Sequence, residues 1–246
     1  MLLLGLLWLL WPRDDGTLAE IRRRGTLRVG LDASFPPFEV VAADGQIVGL
    51  DVDLARAIAA DLGVEAELVN IGFDGLYDAL LARRVDLVIS GLPYDPRWTA
   101  DVAYSRNYFN AGQVLLAAPG NGIEQAGDLA GRLVAIEWGS QADMEARRLA
   151  ETTPGLGLLR QPTAAEALAA AAAGHADAAI VDGVSAAGAE AGSLRPVTFL
   201  TDEWYAAAVH IQSRELLAAA NQTLTRLEES GEMARIQGRW LANAEP

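Results

Sequence analysis

The stretch Leu27-Arg-Val-Gly-Leu-Asp-Ala-Ser-Phe-Pro-Pro-Phe-Glu39 decides how this chain is read. Leu27, Val29 and Leu31 are apolar at a period of two, the alternation of a strand. Asp32 to Pro37 then place an acid, a hydroxyl, an aromatic ring and two prolines just past the strand's carboxyl end. In open α/β sheets small molecules bind outside the carboxyl ends of the strands, so the position itself suggests a ligand rim. A rigid polar turn is the competing reading of the same residues.

Working outward, Leu18 and Ile21 among charges predict a short amphipathic helix over 17–24, ended by Gly25. Val40 to Val48 reads as a hairpin about Asp44-Gly45. Leu54, Ile58 and Leu62 at four-residue spacing predict a helix over 51–62, with Asp51 as its cap and Gly63 past its end. A strand at Val64–Leu68, a helix over 73–82 and a buried strand over 86–90 follow. Asp95-Pro96-Arg97-Trp98 has the form of a helix start, with Asp95 at the cap and Pro96 at the first helical position.

Strand and helix in alternation imply a parallel sheet with right-handed crossovers. From Gly112 the pattern repeats: strands at 112–118, 133–136, 158–160 and 178–181, with helices over 140–151 and 164–173. A further extended segment within 201–211 and two helices, over 215–227 and 232–241, complete the chain.

The 246 residues, 51% of them hydrophobic, suffice for two α/β units of ordinary domain size. A formal net charge of -14 argues against nucleic acid or an anionic membrane surface as partner, since either is repelled at long range. A cationic or zwitterionic solute fits better. The absence of cysteine removes thiolate metal sites, and the two histidines, His175 and His210, are far apart, so neither a metal nor a cofactor is expected. Met1 to Trp11 is an apolar run shorter than the about 20 residues a spanning helix needs, and is read as an export segment or anchor.

In order and at family spacing, the chain carries Leu-Arg-Val-Gly-Leu-Asp-Ala-Ser-Phe-Pro-Pro-Phe at 27–38, Gly-Leu-Asp-Val-Asp-Leu-Ala at 49–55 and Phe-Asp-Gly-Leu at 73–76. Further pieces are Asp-Leu-Val-Ile-Ser-Gly-Leu at 86–92, Ala-Asp-Ala-Ala-Ile-Val-Asp at 176–182 and Gly-Glu-Met-Ala-Arg-Ile-Gln-Gly-Arg-Trp-Leu at 231–241. Together these resemble the extracytoplasmic solute-binding proteins of family 3, the polar amino acid receptors of ABC importers.

The resemblance implies an α/β, two-lobed periplasmic-binding-protein-like fold, each lobe a mainly parallel sheet flanked by helices. Two hinge strands join the lobes, near Asn110–Gln113 and Glu203–Ala207. The implied division is 1–16 for the export segment or anchor and linker, 17–111 with 205–246 for lobe 1, and 112–204 for lobe 2. Also implied are an extracytoplasmic location, a monomer and an ABC permease as partner, with a small polar solute captured by hinge closure.

Carried over position by position, the ligand-binding residues are Asp32, Phe35, Phe73, Ser90, Gly91 and Leu92 from the first lobe. From the second come Glu137, Ser140, Gln141 and Asp182, the last in the place of the family's partner for an α-ammonium group. Phe35 and Phe73 also suit a core, and Asp182 a helix cap.

The chain departs from the family where an arginine usually holds the ligand carboxylate: Trp98 stands there, with Arg97 adjacent. Pro93 and Asp95 replace the usual small hydroxyl residues. Asp32, Asp95, Glu137 and Asp182 with Phe35, Phe73 and Trp98 make an acidic, aromatic set, which suits an ammonium or guanidinium group. Asp95 as a cap and Trp98 as loop packing are the competing readings. A dehydratase-like enzyme of the same fold, with Glu137 as general acid, and a ligand-sensing module are the alternative functions.

Overall fold

The computed structural model describes residues 15–189 and 193–241; the apolar run at 1–11 lies outside them. The chain divides into two compact units, Met1–Arg106 with Ala206–Ser230 and Asn107–Tyr205 with Gly231–Pro246. The expected division gave both final helices to the first lobe. Here the last helix is grouped with the second unit, because it packs on a helix of that unit.

In the first unit the order is α1 (Thr17–Arg24), β1 (Thr26–Leu31), β2 (Ser34–Phe35), β3 (Glu39–Val41), β4 (Ile47–Val48), α2 (Leu50–Leu62), β5 (Glu65–Asn70), α3 (Leu76–Leu81) and β6 (Leu87–Val88). Then β7 (Val102–Asn110) leads out of this unit, β13 (Trp204–His210) returns to it, and α7 (Arg214–Glu229) closes it. The main sheet has the order β5-β1-β6-β13-β7. β1 runs parallel to β5 and β6, and β13 runs antiparallel to β6. The expected hairpin is β3 and β4, with β2 as a third antiparallel strand.

The α2 helix is capped by Gly49, not by Asp51. Asp51 shares its helix face with Leu54, Ala55, Ile58 and Leu62, and is fully buried. Gly49 sits at φ 147°, where a Cβ would lie 2.0 Å from the Phe38 carbonyl oxygen, so only glycine lets β3 and α2 approach this closely. The expected helix over 73–82 begins as a 3-10 turn at Phe73–Gly75, and the helix start at Asp95 is a single 3-10 turn, Pro96–Trp98.

The second unit holds β8 (Gln113–Ala117), β9 (Leu133–Glu137), α4 (Gln141–Ala150), β10 (Gly157–Gln161), α5 (Ala164–Ala172), β11 (Ala178–Asp182), α6 (Gly183–Ala189), β12 (Arg195–Phe199) and α8 (Glu232–Leu241). Its sheet has the order β10-β9-β11-β8-β12, with β8 antiparallel to both neighbours.

Both faces of this sheet are covered, which explains why its central strands are apolar throughout. Ala179 and Val181 face the alanine-rich α5, where Ala167, Ala170 and Ala171 form one cluster with them. Ala178 and Ile180 face the opposite side, against Ala142 and Ala146 of α4. Small side chains let both helices pack closely on the strands. The helix α8 packs on α6, and a Cβ on Gly188 would lie 2.9 Å from the Leu241 carbonyl oxygen.

Candidate functional site

In the first unit the rim is built from loops that follow parallel strands. Asp32 lies just past β1, and its Oδ2 accepts the Phe73 N–H at 2.8 Å while its Oδ1 accepts the Ser34 hydroxyl at 2.7 Å. The acid therefore ties the Phe73 loop to the β1 loop. Phe73 is 44% exposed, and Phe35 is 42% exposed while stacked on buried Phe38 with centroids 5.3 Å apart. Both rings remain available on the surface, contrary to a core role.

Ser90, Gly91 and Leu92 follow β6. The Ser90 hydroxyl is buried; it donates to Glu39 Oε1 at 2.6 Å and accepts the Asp32 N–H at 2.9 Å. Its side chain organises the rim from beneath. Gly91, at φ 47°, donates its N–H to Asp51 Oδ2 at 2.5 Å. Leu92 is buried with Leu76, Leu80 and Val88.

Asp95 and Arg97 satisfy each other. Asp95 Oδ1 accepts the Arg97 N–H at 2.9 Å as a cap, and its Oδ2 accepts from Arg97 Nη2 at 2.6 Å. The guanidinium holds the carboxyl below its usual range, and the carboxylate raises the guanidinium in turn. Neither charge stands alone, so Asp95 adds no uncompensated negative charge to the rim. Trp98 stacks on Tyr77 at 4.4 Å and 12°, and packs with the Leu76–Leu92 cluster. It is wall rather than surface. The Tyr77 and Tyr104 hydroxyls are 2.7 Å apart, and burial pushes both phenols upward. Tyr94, tilted on Tyr104, is 53% exposed. These three tyrosines were absent from the sequence-based set.

In the second unit Glu137 ends β9, Gln161 ends β10 and Asp182 ends β11, while antiparallel β8 begins at Gln113 beside Asp182. All four stand on one edge of the sheet. Asp182 caps α6: Oδ1 accepts the N–H groups of Val184 and Ser185, each at 2.9 Å, and Oδ2 accepts the Ser185 hydroxyl at 2.7 Å. With two lone-pair directions per oxygen, Oδ2 keeps one for another donor.

Ser140 caps α4 by accepting the Asp143 N–H at 3.2 Å, and its hydroxyl donates to the Glu137 carbonyl at 2.8 Å. Gln141 is exposed in the first turn. Among the described residues the Glu137 carboxylate has no hydrogen-bond partner. Its neighbour Trp138 is 71% exposed, and the sequence-based set omitted it although a tryptophan between a strand end and a helix cap is itself a surface signal.

His210 lies away from these rims. Its Nδ1 accepts from Arg83 Nη2 at 2.9 Å, and burial, with the Arg83 charge, lowers it below the ordinary imidazole range. Asp15 binds the same arginine at 2.5 Å. Although its burial opposes ionisation, hydrogen bonds from Thr17, Ser213 and Arg83 hold it well below the usual carboxylate range. Among the described residues no group of three or more His, Cys, Asp or Glu is placed to hold a metal ion, and no helix is long and apolar enough to cross a membrane.

Residues 27–243 match the family model described as bacterial extracellular solute-binding proteins, family 3. The L-cystine-binding protein TcyJ of Escherichia coli (strain K12) is 27% identical over 234 residues, covering 92% of this chain and 86% of the relative. The arginine-binding extracellular protein ArtP of Bacillus subtilis (strain 168) is 28% identical over 221 residues, covering 87% and 85%. Among solved structures, an ancestral cationic amino acid solute-binding protein superposes with a TM-score of 0.65 at 32% identity, covering 92% of this chain and 99% of that one. Another structure of that ancestral protein describes it as a precursor of cyclohexadienyl dehydratase.

Proposed function

The chain belongs to the bacterial extracellular solute-binding proteins of family 3, and from that premise we propose that it captures a small amino acid or amine-like solute and delivers it to an ABC importer. Capture proceeds by hinge closure, in which the ligand shifts the population toward the form that contacts it best. The protein acts outside the cytoplasm, as a monomer, with a permease as its membrane partner.

The observation that carries the ligand class is Glu137, a carboxylate with no partner among the described residues, beside the exposed indole of Trp138. A cation gains from both, by charge pairing and by contact with the ring face. Phe35 and Phe73 add exposed rings in the first unit. The set of acidic contacts is smaller than the sequence suggests, because Asp95 is neutralised by Arg97 and Asp182 is largely occupied as a cap.

Isothermal titration of the purified protein with arginine, lysine, a diamine and glutamate tests this. Arginine or an amine is expected to bind, and Glu137→Gln to weaken that binding by about tenfold, the loss of one charge-assisted contact. Tight binding of glutamate with none of any cation would overturn the cationic reading.

Catalysis is the second reading, favoured only by the likeness to a structure described as a dehydratase precursor. Glu137 is a candidate acid for it, and His210 is engaged with Arg83 away from either rim. Turnover of a prephenate-like substrate would establish it.

A further inference from the structure

Beneath the first unit's rim lie two fully buried carboxyl groups, Glu39 on β3 and Asp51 on α2. A buried charge is tolerated only where donors satisfy it, and two adjacent carboxylates cannot both stay ionised in such a place. Asp51 Oδ2 receives the Gly91 N–H at 2.5 Å, and Glu39 Oε1 receives the Ser90 hydroxyl at 2.6 Å. Glu39 Oε2 is buried and meets no N–H or O–H donor among the described residues, and Asp51 lies beside it where the start of α2 packs on the β3 segment, the Asp51 N–H donating to the Phe38 carbonyl at 3.0 Å. A bond between two carboxyl groups exists only when one of them carries a proton.

We propose that Glu39 and Asp51 share a single proton and act together as positioning residues for ligand capture, holding the Asp32, Phe73 and Ser90–Gly91 segments in one arrangement. The inference rests on the solute-binding reading above. The linkage runs through the pair: the Phe73 N–H binds Asp32, the Asp32 N–H binds Ser90, and Ser90 donates to Glu39, while Asp51, beside Glu39, accepts from Gly91. The three loops leave the paired strands β1, β5 and β6, and beyond the ends of those ladders they are linked from below by one buried pair.

The groups facing Glu39 are Asp51 from α2, Asp32 from the loop after β1 and the Ser90 hydroxyl after β6. Burial first, then the Asp51 charge and, more weakly, that of Asp32, push the Glu39 carboxyl up to about 10. The pair thus holds one proton at neutral pH.

Glu39→Gln keeps the shape and offers an amide N–H to Asp51 and an oxygen to Ser90, but has no proton to lose. Hydrogen exchange of the ligand-free protein, corrected for intrinsic rates, follows the Asp32, Phe73 and Gly91 amides from pH 7 to 10.5. Arginine titrations are run on the same samples. In the wild-type chain, protection of these three amides should fall by about tenfold relative to β11 amides as the pair loses its proton. In Glu39→Gln the protection should stay level, and arginine affinity at pH 7 should remain within about threefold of wild type. Glu39→Ala should lose the protection at every pH.

Parallel profiles for wild type and Glu39→Gln would overturn the shared proton, as would undiminished protection in Glu39→Ala. Divergent profiles with no arginine binding by any variant would instead count against the ligand reading and leave the proton pair standing. Should Glu39→Ala fail to fold, the comparison of wild type with Glu39→Gln still decides.

Discussion

Asp182 illustrates how one side chain can carry two readings of a sequence. The resemblance to the family implies a contact with an α-ammonium group, and the structure shows three hydrogen bonds at the start of α6. Asp182→Ala is expected to lower unfolding free energy by about 1 kcal/mol through the lost cap, and Asp182→Asn by less, both measured by urea denaturation. Trp98 shows the reverse case, a residue expected among the ligand contacts that is bound into its own unit. Trp98→Ala should cost about 2 kcal/mol of stability, as the stack on Tyr77 and the contacts with the Leu76–Leu92 cluster are lost. Phe35 was legible as a candidate from its place just past the end of β1, whereas Phe73 came only from the resemblance to the family. Asp95 as a cap followed from its place just before Pro96, whereas its ion pair with Arg97 is seen only in the structure. By contrast, the partners of Ser90 are 51 and 58 residues away, a separation no local pattern encodes.

Among elements, those with strong periodicity could be read directly. The helix α2 and the strands β1 and β11 lie within a residue or two of expectation, because burial on one helix face or both sheet faces leaves a repeating apolar signature. The long strand β7 escaped, since Ala-Tyr-Ser-Arg-Asn breaks the alternation and its burial does not follow a period of two. The strand β12 escaped too: it contains Pro196, which is tolerated because β12 is the sheet's outer strand. Asp51 stands on the same stripe as Leu54, Ala55 and Ile58, and an acid at that spacing is a sign of a buried, partnered carboxyl. Glycines give this scale its test. Gly238 is exposed inside α8 with open space around its missing side chain, so Gly238→Ala should add roughly 0.5–1 kcal/mol. Gly49→Ala, with the Phe38 backbone in its way, should instead lower the melting temperature steeply or prevent folding.

For the molecule as a whole, pH dependence reports the buried carboxyl pair. A carboxyl raised from 4.5 to about 10 leaves the native state holding a proton that the unfolded chain has released. Stability from this group is therefore complete below pH 4.5 and is lost as pH rises toward 10. The slope approaches about 1.4 kcal/mol per pH unit where one full proton separates the two states. Asp15 acts in the opposite direction, because its depressed value gives stability that is present above 3.8 and lost as pH falls below it. Denaturation across pH 6 to 9 should show the decline in the wild-type chain and its removal in Glu39→Gln. The two-unit architecture itself was legible, since strand–helix alternation is played twice.

The last helix has a practical consequence for dissecting the protein. The second unit is written in two separate stretches of sequence, and 107–205 expressed alone would leave α6 bare where Leu241 belongs. A self-contained version calls for splicing 231–246 onto that piece through a short linker. Added in trans, a synthetic peptide of the same residues should restore its cooperative melting.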